Sequence, residues 1–234
     1  MHEVKAILLV GGLGTRLCSV VSSRSKVLAS IGQKPFLELL VQQLRSQGIR
    51  HLVMCTGYLG SQIESTFGDG RNWDVSIEYS REDSPLGTAG ALRQARHYLQ
   101  DLPEFLVLNG DSFLEVDFHD LLSFHRGHGS VATMAVLPLE GTSRYGIVRI
   151  DADGRIISFA EKSGNQEPGL VNGGVYVFSC AIWNYISEGF VDLETKIFPQ
   201  LLDHGMYGRQ QHGMFIDIGT PADYARAQQL LRFL

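Results

Sequence analysis

Between residues 8 and 36 the chain reads LLVGGLGTRLCSVVSSRSKVLASIGQKPF. An apolar stretch enters a turn containing Gly11, Gly12 and Gly14. Thr15 and Arg16 follow at once, and Lys26 comes ten residues after Arg16. Glycines after a strand let backbone amides approach an anion closely. The order G-G-x-G-T-R is not the G-x-G-x-x-G of a dinucleotide cradle, and no helical pattern follows it directly. No G-x-x-x-x-G-K-[ST] run occurs either. Two readings stay open on these residues: a backbone cradle for phosphate, or a tight turn after a buried strand that leaves Arg16 without a role.

Two carboxylates have positions suited to chemistry. Asp111 ends the segment FLVLNGD, and the carboxyl end of a buried parallel strand is where α/β sheets bind ligands. The same place suits a turn or helix-capping aspartate. Asp217 stands alone among apolar residues in FIDIG, and a buried carboxylate needs a cation or a hydrogen-bonding partner. Aspartates, water and phosphate oxygens together suit Mg²⁺, which prefers oxygen ligands. His119, His125 and His128 lie near one another in sequence and read as a solvated helix face, not a metal trio. Cys18, Cys55 and Cys180 are widely spaced with no CxxC pair, so no zinc site, disulfide framework or cysteine nucleophile is indicated.

These groups need a scaffold, and the pattern supplies one. VKAILLV (4–10) is a short apolar run ending in glycines, as a buried parallel strand does. FLELLVQQLRSQGI (36–49) has helical spacing, HLVMCTGY (51–58) is a strand, GSQIESTFG (60–68) a short helix and VSIEYSRE (75–82) a strand. TAGALRQARHYL (88–99) is a helix and EFLVLNGD (104–111) a buried strand. This alternation predicts a Rossmann-like, doubly wound α/β sheet. After Asp111 the rhythm changes. DFHDLLSFHRGH reads as a helix. VATMAVLPL, GIVRIDADGRIISFAEK and LVNGGVYVFS read as strands, with a hairpin turn at DADG (151–154). FVDLETKIFPQLLDHG reads as a helix and MFIDIG as a strand. TPADYARAQQLLRFL reads as a terminal helix with Thr220 as N-cap and Pro221 first. With no linker or repeat, the expectation is a single domain over 1–234 with a mixed sheet, its halves meeting near residue 115.

The bulk numbers exclude some functions. Lys+Arg 20 against Asp+Glu 25 gives net charge −5, which argues against the basic face that nucleic acid requires. The apolar run in MHEVKAILLV is too short for a secretory core or a membrane span. A cytoplasmic protein with no membrane partner is expected, and the cysteine usage agrees.

GGLGTRL with a downstream lysine, ahead of G-x-K-P-F-L-E, resembles the signature of the sugar-phosphate nucleotidyltransferases. SPLGTAGAL (84–92), LVLNGDSF (106–113), RYGIV (144–148), FAEK (159–162), VNGGVYVF (171–178) and FIDIGTPADY (215–224) resemble further blocks of that family, in its order. The resemblance spans nearly the whole chain. It implies a GT-A-like fold with a nucleotide-binding half (about 1–115) and a sugar-binding β subregion (about 116–234). It also implies an enzyme that joins a nucleoside triphosphate to a sugar 1-phosphate and releases pyrophosphate. On that pattern Arg16, Lys26, Asp111 and Asp217 are catalytic, and Asp111 and Asp217 are the Mg²⁺ pair. The nucleotide is lined by Leu9, Gly11, Gly12, Gly14, Thr15, Arg16, Lys26, Gly87, Thr88 and Asp111. The sugar phosphate is held by Gly146, Glu161, Lys162, Asn172 and Gly173.

SVVS after GTRL, together with RYG and VNGGVYVF, leans towards the heptose 1-phosphate guanylyltransferases. That implies GTP and D-glycero-α-D-manno-heptose 1-phosphate as partners and GDP-heptose for capsule or other surface polysaccharide. Thymidylyl- and mannose-1-phosphate guanylyl-transferases share most of the blocks, and a non-catalytic nucleotide-sugar-binding relative or a homodimer is also compatible with them. Two departures stand out. The family's lysine usually sits in P-K-P, whereas here it is Ser25-Lys26-Val27. Lost prolines predict a looser empty loop and weaker nucleotide affinity. Cys18 stands where the heptose branch leads one to expect arginine, removing one phosphate contact.

Overall fold

The computed structural model describes residues 4–12, 14, 17, 24–99, 102–160 and 167–230. In chain order the elements begin with β1 (Lys5–Leu9), the small hairpin β2 (Ser30–Ile31) and β3 (Lys34–Pro35), α1 (Phe36–Ser46), β4 (His51–Thr56) and α2 (Gly60–Phe67). β5 (Ser76–Arg81), α3 (Gly87–Gln94), β6 (Glu104–Asn109), β7 (Ser112–Leu114) and α4 (Phe118–His128) follow. The remainder comprises β8 (Ala132–Leu139), β9 (Ile147–Ile150), β10 (Ile156–Ala160), β11 (Gly169–Ser179), α5 (Phe198–Leu201), β12 (Met206–Gln210), β13 (Phe215–Asp217) and α6 (Pro221–Leu230).

The main sheet runs β10-β9-β11-β6-β1-β4-β5, with β8 paired to β11 and β12 to β8. β5, β4, β1 and β6 are parallel, and β11 runs antiparallel to β6, β8 and β9. β1 is buried on both faces, as its unbroken apolar run requires. Successive side chains point to opposite sides. Ala6 and Leu8 join a core with α1, α2 and α4, while Ile7 joins a second core with α3 and the segment around Trp183 and Phe198. The expected doubly wound mixed sheet is the fold.

Local chemistry sets several boundaries. Asp117 caps α4 by accepting from His119 N and Asp120 N. The DADG turn closes as expected, with Asp151 Oδ1 accepting from Asp153 N and Arg155 N. Thr220 caps α6, its Oγ1 accepting from Asp223 N and donating to Asp223 Oδ2.

Three expectations change. The 88–99 helix becomes 3-10 after Gln94. The long helix expected over 190–205 shrinks to a π turn at Leu193–Ile197 and a single turn of α5, because Val191 and Asp192 are held by the amides of α3. β12, which sequence reading passed over, runs beside β8. Its Gly208 interrupts the apolar alternation where the backbone approaches Ile150 and Val136.

His125 is not on a solvated face. It is buried, and its Nδ1 lies 2.9 Å from Thr133 Oγ1 and 3.0 Å from Ser130 Oγ. His119 and His128 are exposed as expected. Burial, aided by the neighbouring Arg126 charge, pushes the His125 pKa down from 6.5 to about 4. The unfolded chain therefore takes up a proton that the fold refuses. Stability is complete above about pH 6.5 and declines as the pH falls towards 4, by an amount on the order of 3 kcal/mol. Urea unfolding of wild type and His125→Gln across this range should give a flatter profile for the variant. Equal slopes would exclude His125 as the source.

Candidate active site

β1, β4 and β6 are parallel and end at the same sheet edge. The loops that leave them open a cleft of about 800 Å³. Those loops stay tied to neighbouring strands: Val10 N donates to Cys55 O and Gly110 N to Leu9 O. Leu9, Gly11, Gly12, Gly14, Lys26, Gly87, Thr88, Asp111, Gly146, Asn172 and Asp217 all line this one cleft. Thr15, Arg16, Cys18, Glu161 and Lys162 lie outside the described residues. Gly173 faces the packed side against Leu114 and Ala135 O, and its neighbour Gly174 lines the cleft instead.

The two carboxylates are brought together by main-chain pairing. β13 runs antiparallel to β7 with Asp217 opposite Ser112, and Ile218 N donates to Asp111 O at 3.0 Å. Lys26 Nζ lies 2.6 Å from Asp111 Oδ2. Burial pushes the Asp217 carboxyl up from its usual range, and the Asp111 charge adds to that push. Lys26 and a hydrogen bond from Gly219 N oppose it. Among the described residues no group of three or more His, Cys, Asp or Glu forms a self-sufficient cation site.

Around the lysine, residues 26–28 form a 3-10 turn with Val27 and Leu28 buried, and Ser25 N donates to Gln62 Oε1 at 2.9 Å.

Glu82, which also lines the cleft, follows β5 as Asp111 follows β6. Burial raises its carboxyl pKa, while Leu86 N, donating to Oε2 at 2.9 Å, opposes the rise. A Cβ on Gly11 would lie 2.8 Å from Glu82 Oε1, so the cradle loop passes close beside this carboxylate. Thr88 is already engaged: its hydroxyl donates to Glu194 and accepts from Leu193 N. The first amides of α3 are also spoken for. Thr88 N donates to Asp192 Oδ1, and Ala89 N and Gly90 N donate to Val191 O. This helix end is therefore capped by protein and not offered to phosphate.

Also lining the cleft, Arg144 makes a two-pronged pair with Asp223 and lies over the Tyr145 ring. Tyr145 packs edge-on against Phe215 beside Asp217. Asn172 N donates to Gly146 O, and its side chain is held by Tyr176 OH and Gly174 N. Sequence reading missed Glu82, Arg144, Asp192 and Glu194 as lining residues. For Glu82 a signal existed, since a carboxylate just past a parallel strand is the pattern that found Asp111. The others arrive through contacts between distant segments.

The family model for nucleotidyl transferases matches residues 5–232. The chain belongs to the nucleotidyl transferase family. It is 39% identical over 231 residues to a D-glycero-alpha-D-manno-heptose 1-phosphate guanylyltransferase of Aneurinibacillus thermoaerophilus, covering 98% of this chain and 99% of that one. It is 36% identical to the mannose-1-phosphate guanylyltransferase catalytic subunit beta of Danio rerio, covering 94% of this chain but only 62% of that protein. The structure of HddC from Yersinia pseudotuberculosis complexed with GMP-PN superposes with a TM-score of 0.86 at 30% identity, covering 97% and 99% of the two chains. A putative glucose-1-phosphate thymidylyltransferase from Bacillus anthracis shares the fold, with a TM-score of 0.88 at 23% identity.

In this nucleotidyltransferase the cleft joins a cradle of glycines and Lys26, a carboxylate pair, and a polar wall from the second half. Gly87 fixes one side. Its φ is +73°, and a Cβ there would lie 2.5 Å from Val191 O. Gly87→Ala should lower stability by about 2–4 kcal/mol, read as a lower urea midpoint. An unchanged midpoint would show that the 189–192 segment yields without strain.

Proposed function

We propose that this protein transfers GMP from GTP to D-glycero-α-D-manno-heptose 1-phosphate, giving GDP-heptose and pyrophosphate. The observation that carries the base preference is Glu82. Its carboxylate sits half-buried against the glycine turn, with acceptor positions beyond the one used by Leu86 N. The Watson–Crick edge of guanine offers two neighbouring N–H donors, N1–H and N2–H, which one carboxylate can accept. Uracil and thymine present a single N–H between two carbonyls, and a carboxylate repels the carbonyls. The sugar preference is supported by the relative from Aneurinibacillus thermoaerophilus, which this chain matches over essentially its full length.

Chemically, an oxygen of the sugar phosphate attacks the α-phosphorus. The new P–O bond forms as the bond to pyrophosphate breaks, so no protein nucleophile is needed. Both reactants are anions, and catalysis comes from positioning and from compensating charge. The donors at Asp111 and Asp217 are all oxygen; burial first and the Asp111 charge second raise the Asp217 carboxyl, and a dication would relieve the second. These residues therefore suit Mg²⁺. Held by Asp111 and Asp217 with substrate oxygens and water, Mg²⁺ would neutralise charge on the α-phosphate. Lys26, with Arg16, grips the phosphates as pyrophosphate leaves, and the amides of Gly11, Gly12 and Gly14 line them. Gly146 and Asn172, with Glu161 and Lys162, receive the sugar phosphate. Lys162 pairs its phosphate, and Glu161 accepts from sugar hydroxyls. We further infer a cytoplasmic enzyme whose product feeds surface polysaccharide; no described helix is long and apolar enough to cross a membrane.

Pyrophosphate release tests this directly. With Mg²⁺, the pair GTP and heptose 1-phosphate should exceed every pairing of GTP, dTTP, UTP or CTP with mannose or glucose 1-phosphate. Faster turnover with another pair would replace the substrate assignment. Glu82→Gln leaves one acceptor and adds a donor facing guanine N–H groups. It should reduce kcat/KM for GTP by roughly a hundredfold and narrow the gap to UTP, and unchanged discrimination would remove Glu82 from base reading. Asp111→Asn should lower kcat by at least about a thousandfold with Tm retained. Normal turnover there would sink the metal assignment.

A further inference from the structure

Lys26 is committed to the carboxylate pair even without substrate. Its ammonium donates to Asp111 Oδ2 at 2.6 Å, and Asp111 is tied to the Asp217 strand by Ile218 N donating to Asp111 O. Its side chain is only 13% exposed, against 45% for Asp111. The backbone beneath it is fixed by buried Val27 and Leu28 and by Ala29 N donating to Lys26 O. Gly14 crosses its stem so closely that a Cβ there would lie 3.0 Å from Lys26 Cβ. The freedom left to this residue is in the outer part of its flexible chain, which carries a compact charge.

A charge-assisted bond of this length uses up acceptor capacity on one member of the carboxylate pair. A dication binding there would share Asp111 with an ammonium, and like charges at such range in a partly desolvated cleft repel strongly. Triphosphate changes the balance, because phosphate seated in the glycine cradle beside Lys26 would offer the ammonium anionic oxygens in place of Asp111. We propose that Lys26 is the resident counter-ion of the Asp111–Asp217 pair, keeping the metal position closed until nucleotide phosphate draws its ammonium away. This rests on the reading of Asp111 and Asp217 as metal ligands in a nucleotidyl transfer site. Divalent cation and nucleotide then bind cooperatively, since both displace the same ion pair, and each must tighten the other by the same factor. An empty enzyme would neither collect metal nor present two unbalanced carboxylates.

The test is Mn²⁺ binding, followed by the EPR signal of the free ion, with and without α,β-methylene-GTP and with no sugar phosphate present. Wild type should bind Mn²⁺ weakly alone and about tenfold more tightly with the analogue. Lys26→Met should bind Mn²⁺ alone about tenfold more tightly than wild type, and the analogue should tighten it by a smaller factor than in wild type. Lys26→Arg keeps a cation and should stay weak, and Lys26→Met with Asp111→Asn should lose the gain. Lys26→Gln serves as a second neutral variant, with circular dichroism confirming the fold of each. If the analogue tightens Mn²⁺ on wild type but neither neutral variant binds it more tightly alone, the counter-ion role is overturned while the metal reading stands. If no form binds Mn²⁺ even with the analogue, both are overturned.

Discussion

The β7–β13 ladder holds two carboxylates side by side that would otherwise repel. Asp217 reaches Asp111 only because Phe215–Asp217 pairs with Ser112–Leu114 and Ile218 N bonds Asp111 O. The residues involved are about a hundred positions apart in sequence, and backbone hydrogen bonds oppose the repulsion between them. Everything else in the cleft is arranged around the resulting negative focus. Lys26 balances it through Asp111, and Tyr145 packs on Phe215 beside it.

The cleft lining mixes glycines and Lys26 with the acidic side chains of Glu82, Asp192 and Glu194. The amides of α3 take no part in phosphate binding because Val191 and Asp192 cap them. Those contacts fasten the segment at Val191 and Asp192 to α3.

Much of this could be read from local sequence. β1, β4 and β6 declared themselves as short apolar runs, and each ends in residues that face the cleft. Glycine turns, helix caps at Asp117 and Thr220, and the DADG hairpin follow from short-range preferences that tertiary contacts did not need to override. Readings failed where a distant partner decided the outcome. The helix expected over 190–205 gave way because α3 needed acceptors for its first amides. His125 left solvent because Ser130 and Thr133 of the adjoining segment receive its ring.

The sequence by itself determined the family, the alternating scaffold and most of the polar groups of the site, because strand ends and glycine turns are local properties written in consecutive residues. Only the tertiary structure decided which of those groups act together. It paired Asp111 with Asp217, gave Lys26 to Asp111, set Glu82 beside Gly11 and exchanged Gly173 for Gly174 at the cleft wall. Those outcomes depend on strand register and on contacts between remote segments, where a shift of one residue turns a side chain from the cleft to the core.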